Sequence, residues 1–416
     1  MNRQDLKNIL VNSLNSEEKK LFTSYTIVFL MIGILAFAYG LILGNVKHTY
    51  QAFLINFVFW TGLAQGSIIL SVVLRLTNAK WGRPIIRIAE STIYFLPISL
   101  VLFIILVFGA DYLYSWFNEP IVHKAAYLNP TFMLSRVAFY LIVLTILSYI
   151  YVRSSIRLDL LKIYEPANIP KRFQSLVKID KTLNEENEYN KLYRMSTIIA
   201  ILYAVLYSLF AIDVVMSLDP HWVSTLFGAY YFIGCFYMGI ALTIILVTLF
   251  QKRPEGKIIQ PNHLHDLGKL LFGFAIVNGD FFYSQFLVIW YGNLPEETHY
   301  IIERTQHQPW ITIAYIVLIL SFVAPFIILL RKKIKMNPNA MKLISAGILL
   351  GYWLERNLLI APAVSNTEVF TINFIQIAIT IGFLGIFMSS INYFWNKYPM
   401  IAFGDPLLKH SLEGEK

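Results

Sequence analysis

Ionisable side chains are scarce inside the apolar stretches of this chain, so each one that occurs there is a candidate for chemistry. Asp280, in the stretch "VNGDFFY", is the sharpest case, because it falls near the middle of an apolar run from about residue 264 to 291. Tyr283 and Ser284 follow it at i+3 and i+4, where their hydroxyls would reach its carboxyl. Burial there would favour the neutral acid, which suits a proton carrier and equally suits a protonated carboxyl tied to a neighbouring helix.

A second group collects at the ends of several runs. Asp111, Arg136, Asp213, Asp219, His221, Glu355 and Arg356 would all lie at one depth, with Asp219 and His221 in the short link "SLDPHW" between two runs. Such a network reads either as ion pairs locking helix ends together or as a proton exit or quinone headgroup site, where a histidine beside a carboxylate can exchange protons. Pro220 would stiffen the corner and Asp219 would cap the next helix.

At the opposite depth, Glu90, with Gln65 and Gln376 further in, would help hydrate an inner half-path. His265, Asp266 and Lys269 in "HLHDLGK" suit helix capping and interfacial anchoring, a proton entry point, or a weak divalent-cation site. Haem is disfavoured: all eight histidines fall in connections, at run ends or in the tail, so none is a clear axial ligand. The single cysteine, Cys235, excludes intramolecular disulfides and iron-sulfur ligation by several cysteines. No cofactor and no metal is therefore expected in this chain.

The elements that must position these groups follow from composition. Of 416 residues 57% are hydrophobic and 14% charged, a balance that suits an integral membrane protein and not a soluble domain. The net charge of +9 resides between the apolar runs, the pattern of membrane orientation, so nucleic acid is not an expected partner. Ten spans are predicted, at about 22–43, 52–76, 85–110, 131–152, 196–218, 222–250, 264–291, 310–330, 340–360 and 370–395. The odd-numbered connections hold only Lys47, Lys124 and Arg304, whereas nine basic residues lie between Arg153 and Arg194 alone, which places both termini in the cytoplasm.

The expected organisation is a cytoplasmic amphipathic segment (1–21) with Leu6, Ile9, Leu10 and Leu14 at helical spacing, an all-α transmembrane domain (22–395) and a cytoplasmic tail (396–416). The connection 153–195 reads as a helix lying on the membrane surface, with Leu158, Leu161, Phe173, Leu176, Val177 and Leu183 among its charges. Spans 52–218 and 222–360 run in the same order of directions, so two four-helix bundles with two flanking helices are expected. Gly62 and Gly66 in one unit, and Gly234 and Gly239 in the other, would allow close helix approach. Pro97 is the main internal kink candidate.

The stretches "MSLDPHWVSTLFGAYYF" (216–232), "HLHDLGKLLFGF" (263–274) and "SQFLVIWYGNLPEET" (284–298) resemble the second NrfD-like membrane subunit of alternative complex III, a bacterial quinol:cytochrome c oxidoreductase. The resemblance implies a multi-pass subunit of the bacterial inner membrane. Its implied partners are a paralogous quinol-binding membrane subunit, a periplasmic iron-sulfur protein and multihaem c-type cytochromes, in a lipid setting. Haem c and iron-sulfur clusters would then reside in the partners, with quinol as a candidate ligand. Asp219, His221, Asp266 and Lys269 fall within the matching stretches, whereas Asn278 and Asp280 depart from the aromatic residues usual there. The implied role is scaffold and candidate proton pathway. The alternatives are a quinol-oxidising subunit in its own right and an ion-coupled secondary transporter, which also suits parallel repeats with carboxylates at mid-membrane.

Overall fold

A computed structural model describes residues 7, 11, 23–164, 170–174, 176, 185–365 and 372–413. Ten helices in it are long and apolar enough to cross a membrane, and no strand occurs among the described residues. They are α1 (Thr23–Ile42), α2 (Val46–Leu76), α3 (Ile86–Val107), α4 (Pro130–Ile163), α5 (Glu185–Val214), α6 (Phe227–Phe250), α7 (Pro261–Gly292), α8 (Trp310–Ile328), α9 (Pro338–Ser365) and α10 (Phe374–Lys397). Helix starts carry the expected local chemistry. Asn45, Asn129 and Asn373 each accept the backbone N–H three residues on, and Pro130 and Pro261 occupy first turns where no N–H is needed.

Helices α2 to α5 form one four-helix unit and α6 to α9 a second, with α1 and α10 packed together on the outside. The two units meet at the crossing of α2 with α6, the helices most buried within the chain. There the backbones touch: a Cβ on Gly66 would lie 1.9 Å from the Cys235 carbonyl oxygen, and one on Gly239 would lie 2.2 Å from the Gly66 carbonyl carbon. Small residues are required because lipid supplies no hydrophobic drive between helices and contact must come from close approach. Ser67 and Thr243 add a hydrogen bond of 3.2 Å across the same seam. A second glycine contact, Gly33 with Gly382, joins α1 to α10.

Several expectations from sequence are revised. At 34 residues, α4 is about 51 Å long at 1.5 Å per residue, so it runs well past a hydrocarbon core of about 30 Å. Its last turns occupy the start of the stretch read as a surface helix, and Leu158 and Phe173 are buried in the core. Val177 and Leu183, like the amphipathic segment with Leu6, Ile9, Leu10 and Leu14, lie outside the described residues. The stretch after α10 folds back under the first unit, burying Ile401, Phe403 and Asp405. The link after Asp219 is longer than the apolar run suggested, because α6 begins only at Phe227.

Pro97 follows a 3-10 turn over Glu90–Tyr94. Two further prolines, Pro325 and Pro362, fall within spans. Pro325 has no N–H to offer the Ser321 carbonyl four residues back, the helix opens into a π turn over Ile319–Val323, and Tyr237 donates its hydroxyl to that carbonyl at 3.2 Å. Pro362 likewise frees the Leu358 carbonyl, which accepts Arg304 Nε at 3.0 Å.

Gly66→Ala should destabilise the folded chain by about 1–3 kcal/mol or more through overpacking at the seam. Gly347→Ala, whose added Cβ meets only Leu320 Cδ2 at 3.9 Å, should leave the unfolding midpoint in detergent unchanged or raise it. Equal midpoints for the two variants would contradict this account of the crossing.

Candidate functional site

Three polar clusters lie among the helices, and they differ in how completely their carboxylate oxygens are engaged. The first closes the end of unit one that faces the C-terminal return. Arg87 bonds both Glu90 and Asp159, while Asp405 accepts from Arg75 at 3.3 Å and from Arg83 at 3.2 Å. Ser71 and Ser155 donate to Glu90 Oε1 at 2.8 and 3.1 Å, Arg75 Nε donates to Tyr151 at 3.1 Å, and the Gly404 N–H donates to Asp159 at 2.8 Å. All six charged residues are buried. Burial pulls the Arg83 guanidinium below its ordinary value and Asp405 offsets it.

Three cations balance three carboxylates here, and Glu90 has every oxygen engaged, so it is a strut within a lock and not a hydrated half-path group. Gln65 is occupied similarly, donating to Ser148 at 3.1 Å, and Gln376 bonds Asn357. Arg75, Arg83, Arg87, Asp159 and Asp405 were not singled out from the sequence. They sit at or beyond run ends, where basic and acidic residues are expected in loops, and only the fold shows that they face one another.

The second cluster is at the far end of unit one. Arg136 clamps Asp213 with Nε at 3.1 Å and Nη2 at 2.7 Å, the two-pronged geometry that guanidinium and carboxylate share. Tyr140 donates to Asp213 at 3.2 Å, and the Arg136 guanidinium lies 3.9 Å over the Tyr127 ring. The network expected at this depth is therefore split. Asp219 pairs with His299 at 2.8 Å, not with His221, and its other oxygen accepts the His221 N–H at 3.3 Å. It caps no helix, since α6 starts with no side-chain cap. Asp111 and His221 are exposed on a cleft of about 580 Å3 that also holds Asp219, His299 and Glu303.

The third cluster occupies the middle of unit two and is the candidate site. Glu355 and Arg356 on α9 are buried, with Glu355 Oε2 and Arg356 Nη1 3.4 Å apart but not aligned as a hydrogen bond. Tyr230 donates to Glu355 Oε1, and Arg356 lies 4.2 Å over the Tyr231 ring with Nη2 3.8 Å from Cys235 Sγ. Tyr352, one turn before, sits with Asn278 against Gly234, where a Cβ would meet the Tyr352 ring at 3.0 Å and Asn278 Oδ1 at 3.4 Å. Ser321, in the π turn of α8, faces Gly351.

In the first cluster the unpartnered buried atoms are guanidinium nitrogens of Arg83 and Arg87, whereas here they include a carboxylate oxygen. Buried polar atoms of Glu355, Arg356, Tyr231, Tyr352, Asn278 and Ser321 have no hydrogen-bond partner among the described residues. Buried polar groups are almost always satisfied, so such a concentration marks room for water or for a transferring proton. Toward the 580 Å3 cleft it is followed by Tyr300, stacked on Trp222 with ring centres 3.7 Å apart, and by buried Arg304, which binds the Leu358 and Leu359 carbonyls at 3.0 and 3.2 Å. Burial pushes the Tyr300 hydroxyl above its ordinary value and pulls the Arg304 guanidinium below, with Tyr300 and Glu303 opposing the latter.

Asp280 does not join this cluster. Asn278 faces the core and Asp280, about 200° further round the helix, is exposed, as is Tyr283. Neither Tyr283 nor Ser284 bonds it. At the other end of α7, His263 and not Asp266 completes the helix start, accepting the Gln260 N–H at 2.9 Å. Asp266 instead pairs with Lys269 at 2.7 Å, with His265 3.9 Å away, beside a cleft of about 890 Å3. No group of three or more His, Cys, Asp or Glu suited to a metal occurs among the described residues.

The family model described as "Polysulphide reductase, NrfD" matches residues 45–368. The chain belongs to the NrfD family. The matched span takes in α2 to α9, that is both four-helix units, and leaves α1 and α10 outside. No curated protein matches the chain. As an NrfD protein it is an integral membrane subunit of redox complexes, a family whose members partner with iron-sulfur and other redox subunits. All three clusters of this NrfD chain lie within the matched span or, in the case of Asp405, close onto it.

Asp405→Asn should leave Arg83 without a carboxylate and Arg75 with Glu90 alone at 3.9 Å, and breaking a buried pair from one side costs about 3–5 kcal/mol. The thermal midpoint should fall accordingly, and adding Arg83→Gln should recover part of the loss; a double variant no better than the single one would refute the pairing.

Proposed function

We propose that this chain is the membrane subunit of a respiratory quinol:cytochrome c oxidoreductase of the alternative complex III type. It serves as scaffold for the redox subunits and carries protons through its second four-helix unit. Membership of the NrfD family supports the assembly. The unpaired polar atoms around Glu355 are the observation that carries the proton role. Glu355 holds one oxygen bonded by the Tyr230 hydroxyl and one without a hydrogen-bond donor among the described residues, so it can accept a proton on Oε2 and return it while Arg356 steadies the charged form. Ser321, Tyr352 and Asn278 lie toward the interior, and Tyr300, Asp219 and His299 toward the 580 Å3 cleft, which would serve as the exit on the periplasmic side.

Oxidation of quinol in this chain alone is less well supported. The apolar groove of about 550 Å3 between α2, α6, α9 and α10 is walled by Phe59, Trp60, Leu242, Trp353, Ile381 and Leu384 among others, and no titratable side chain lines it. It suits an isoprenoid or acyl chain and gives a quinol headgroup no proton acceptor. The transporter reading gains from the interrupted helix α8, since broken spans line many transport sites.

The chain captured from native membranes should bring c-type haem and iron-sulfur proteins with it, whereas substrate uptake by the purified chain alone would establish transport instead. In the intact assembly Glu355→Gln should lower the rate of proton translocation by about 10²-fold or more while quinol oxidation is partly retained, since a positioned acid–base group contributes about 10²–10⁴-fold to rate. An unchanged rate in that variant would remove Glu355 from the path.

A further inference from the structure

The carboxylate that the candidate site leaves aside stands in an unusual place. Asp280 lies between Lys269, the last charged residue of the α7 entry, and Trp290 and Tyr291, an aromatic pair of the kind that marks a membrane interface. Ten or eleven residues separate it from either, about 15 Å at 1.5 Å per residue, which puts it at mid-depth. Its side chain is exposed and makes no hydrogen bond or ion pair among the described residues. Around it Ile276, Val277, Phe282 and Tyr283 are also exposed, as on a surface facing lipid. A carboxylate at the centre of hydrocarbon is costly, and a side chain this short cannot reach water 15 Å away.

The same face is shaped for a close neighbour. Gly273, Val277, Asp280 and Ser284 succeed one another at four, three and four residues, so they form one stripe along α7. Nothing lies within 4 Å of where a Cβ on Gly273 would be, in contrast to the seam glycines of α2 and α6, which are already filled. A second copy of this chain is a poor occupant, because an isologous contact on this stripe would set Asp280 against its own counterpart. Charge complementarity calls instead for a cation or a hydrogen-bond donor.

We propose that the outward stripe of α7 centred on Asp280 receives a transmembrane helix of a different polypeptide, one that presents a lysine, arginine or side-chain amide at mid-bilayer. The small residues on either side of Asp280 let the two backbones approach, and the carboxylate fixes the register of the incoming helix. The inference stands on the placement of Asp280 and holds whichever redox reaction the assembly runs.

A photo-reactive residue placed at Val277 or at Ser284 tests this in native membranes, with the same residue at Ile142 on the exposed face of α4 as control. The stripe positions should give an adduct with a second polypeptide whose cross-linked peptide maps to a transmembrane helix bearing Lys, Arg, Asn or Gln within one turn of its midpoint. Asp280→Leu should cut that adduct by about tenfold, equivalent to about 1.4 kcal/mol, with Asp280→Asn intermediate. Because Asp280 is exposed and has no hydrogen-bond or ion-pair partner among the described residues, the thermal midpoint of the purified Asp280→Leu chain should match the wild type. An adduct with the chain itself, adducts with lipid alone, a captured helix without such a residue, full adduct yield in Asp280→Leu, or a lowered midpoint would each overturn the proposal.

Discussion

The contact of α2 with α6 sets the geometry from which both polar interiors follow. Two helix backbones that touch at Gly66 and Gly239 cannot slide or rotate without a clash, so the side chains each helix sends away from the seam are fixed in register. From α2 these are Gln65, Ser71 and Arg75, which reach into the first unit. From α6 they are Tyr230, Tyr231, Cys235 and Tyr237, which reach into the second. One apolar seam therefore aligns two separate sets of polar groups, and the family match spans both units that it joins.

The two sets solve the problem of charge in an apolar medium differently. In unit one every buried cation has a carboxylate, and serines, a tyrosine and a backbone N–H use up the remaining acceptors. Desolvation makes such a network a weak source of net stability but a strong constraint, since loss of one member leaves another uncompensated. It ties the return of the chain after α10 to α2 and α4. In unit two the charges are fewer, one acid beside one base, and several polar atoms stay unengaged. A network whose carboxylate oxygens are all engaged holds shape; one that leaves a carboxylate oxygen open can exchange protons, and this contrast separates scaffold from candidate path within one chain.

Prolines sharpen the second unit. A missing N–H at Pro325 and at Pro362 exposes one carbonyl each inside the protein, and in both cases a side chain from another helix answers it: Tyr237 for Ser321, Arg304 for Leu358. These bonds connect α8 to α6, and the short helix Pro295–Thr305 to α9, at the two ends of the Glu355 cluster. Backbone irregularity is thus placed where it is shielded from lipid, as an apolar medium requires.

Composition and run length were enough to read an all-helical chain with ten candidate spans, and Gly62, Gly66, Gly234 and Gly239 marked where backbones could approach without saying which helices would meet. These are local properties: length and hydropathy decide whether a segment can cross, and a missing side chain permits approach wherever it occurs. Which way a residue faces is not local. Periodicity put Asp280, Tyr283 and Ser284 on one face of α7 correctly, but only packing decided that Asn278 turns inward and Asp280 outward. The Arg75, Arg83, Arg87, Glu90, Asp159 and Asp405 network joins residues up to 330 positions apart, and no spacing in the chain announces it. Pairing between charges is settled by the distances that tertiary structure creates, because Coulomb attraction in an apolar interior depends on separation in space and not along the sequence.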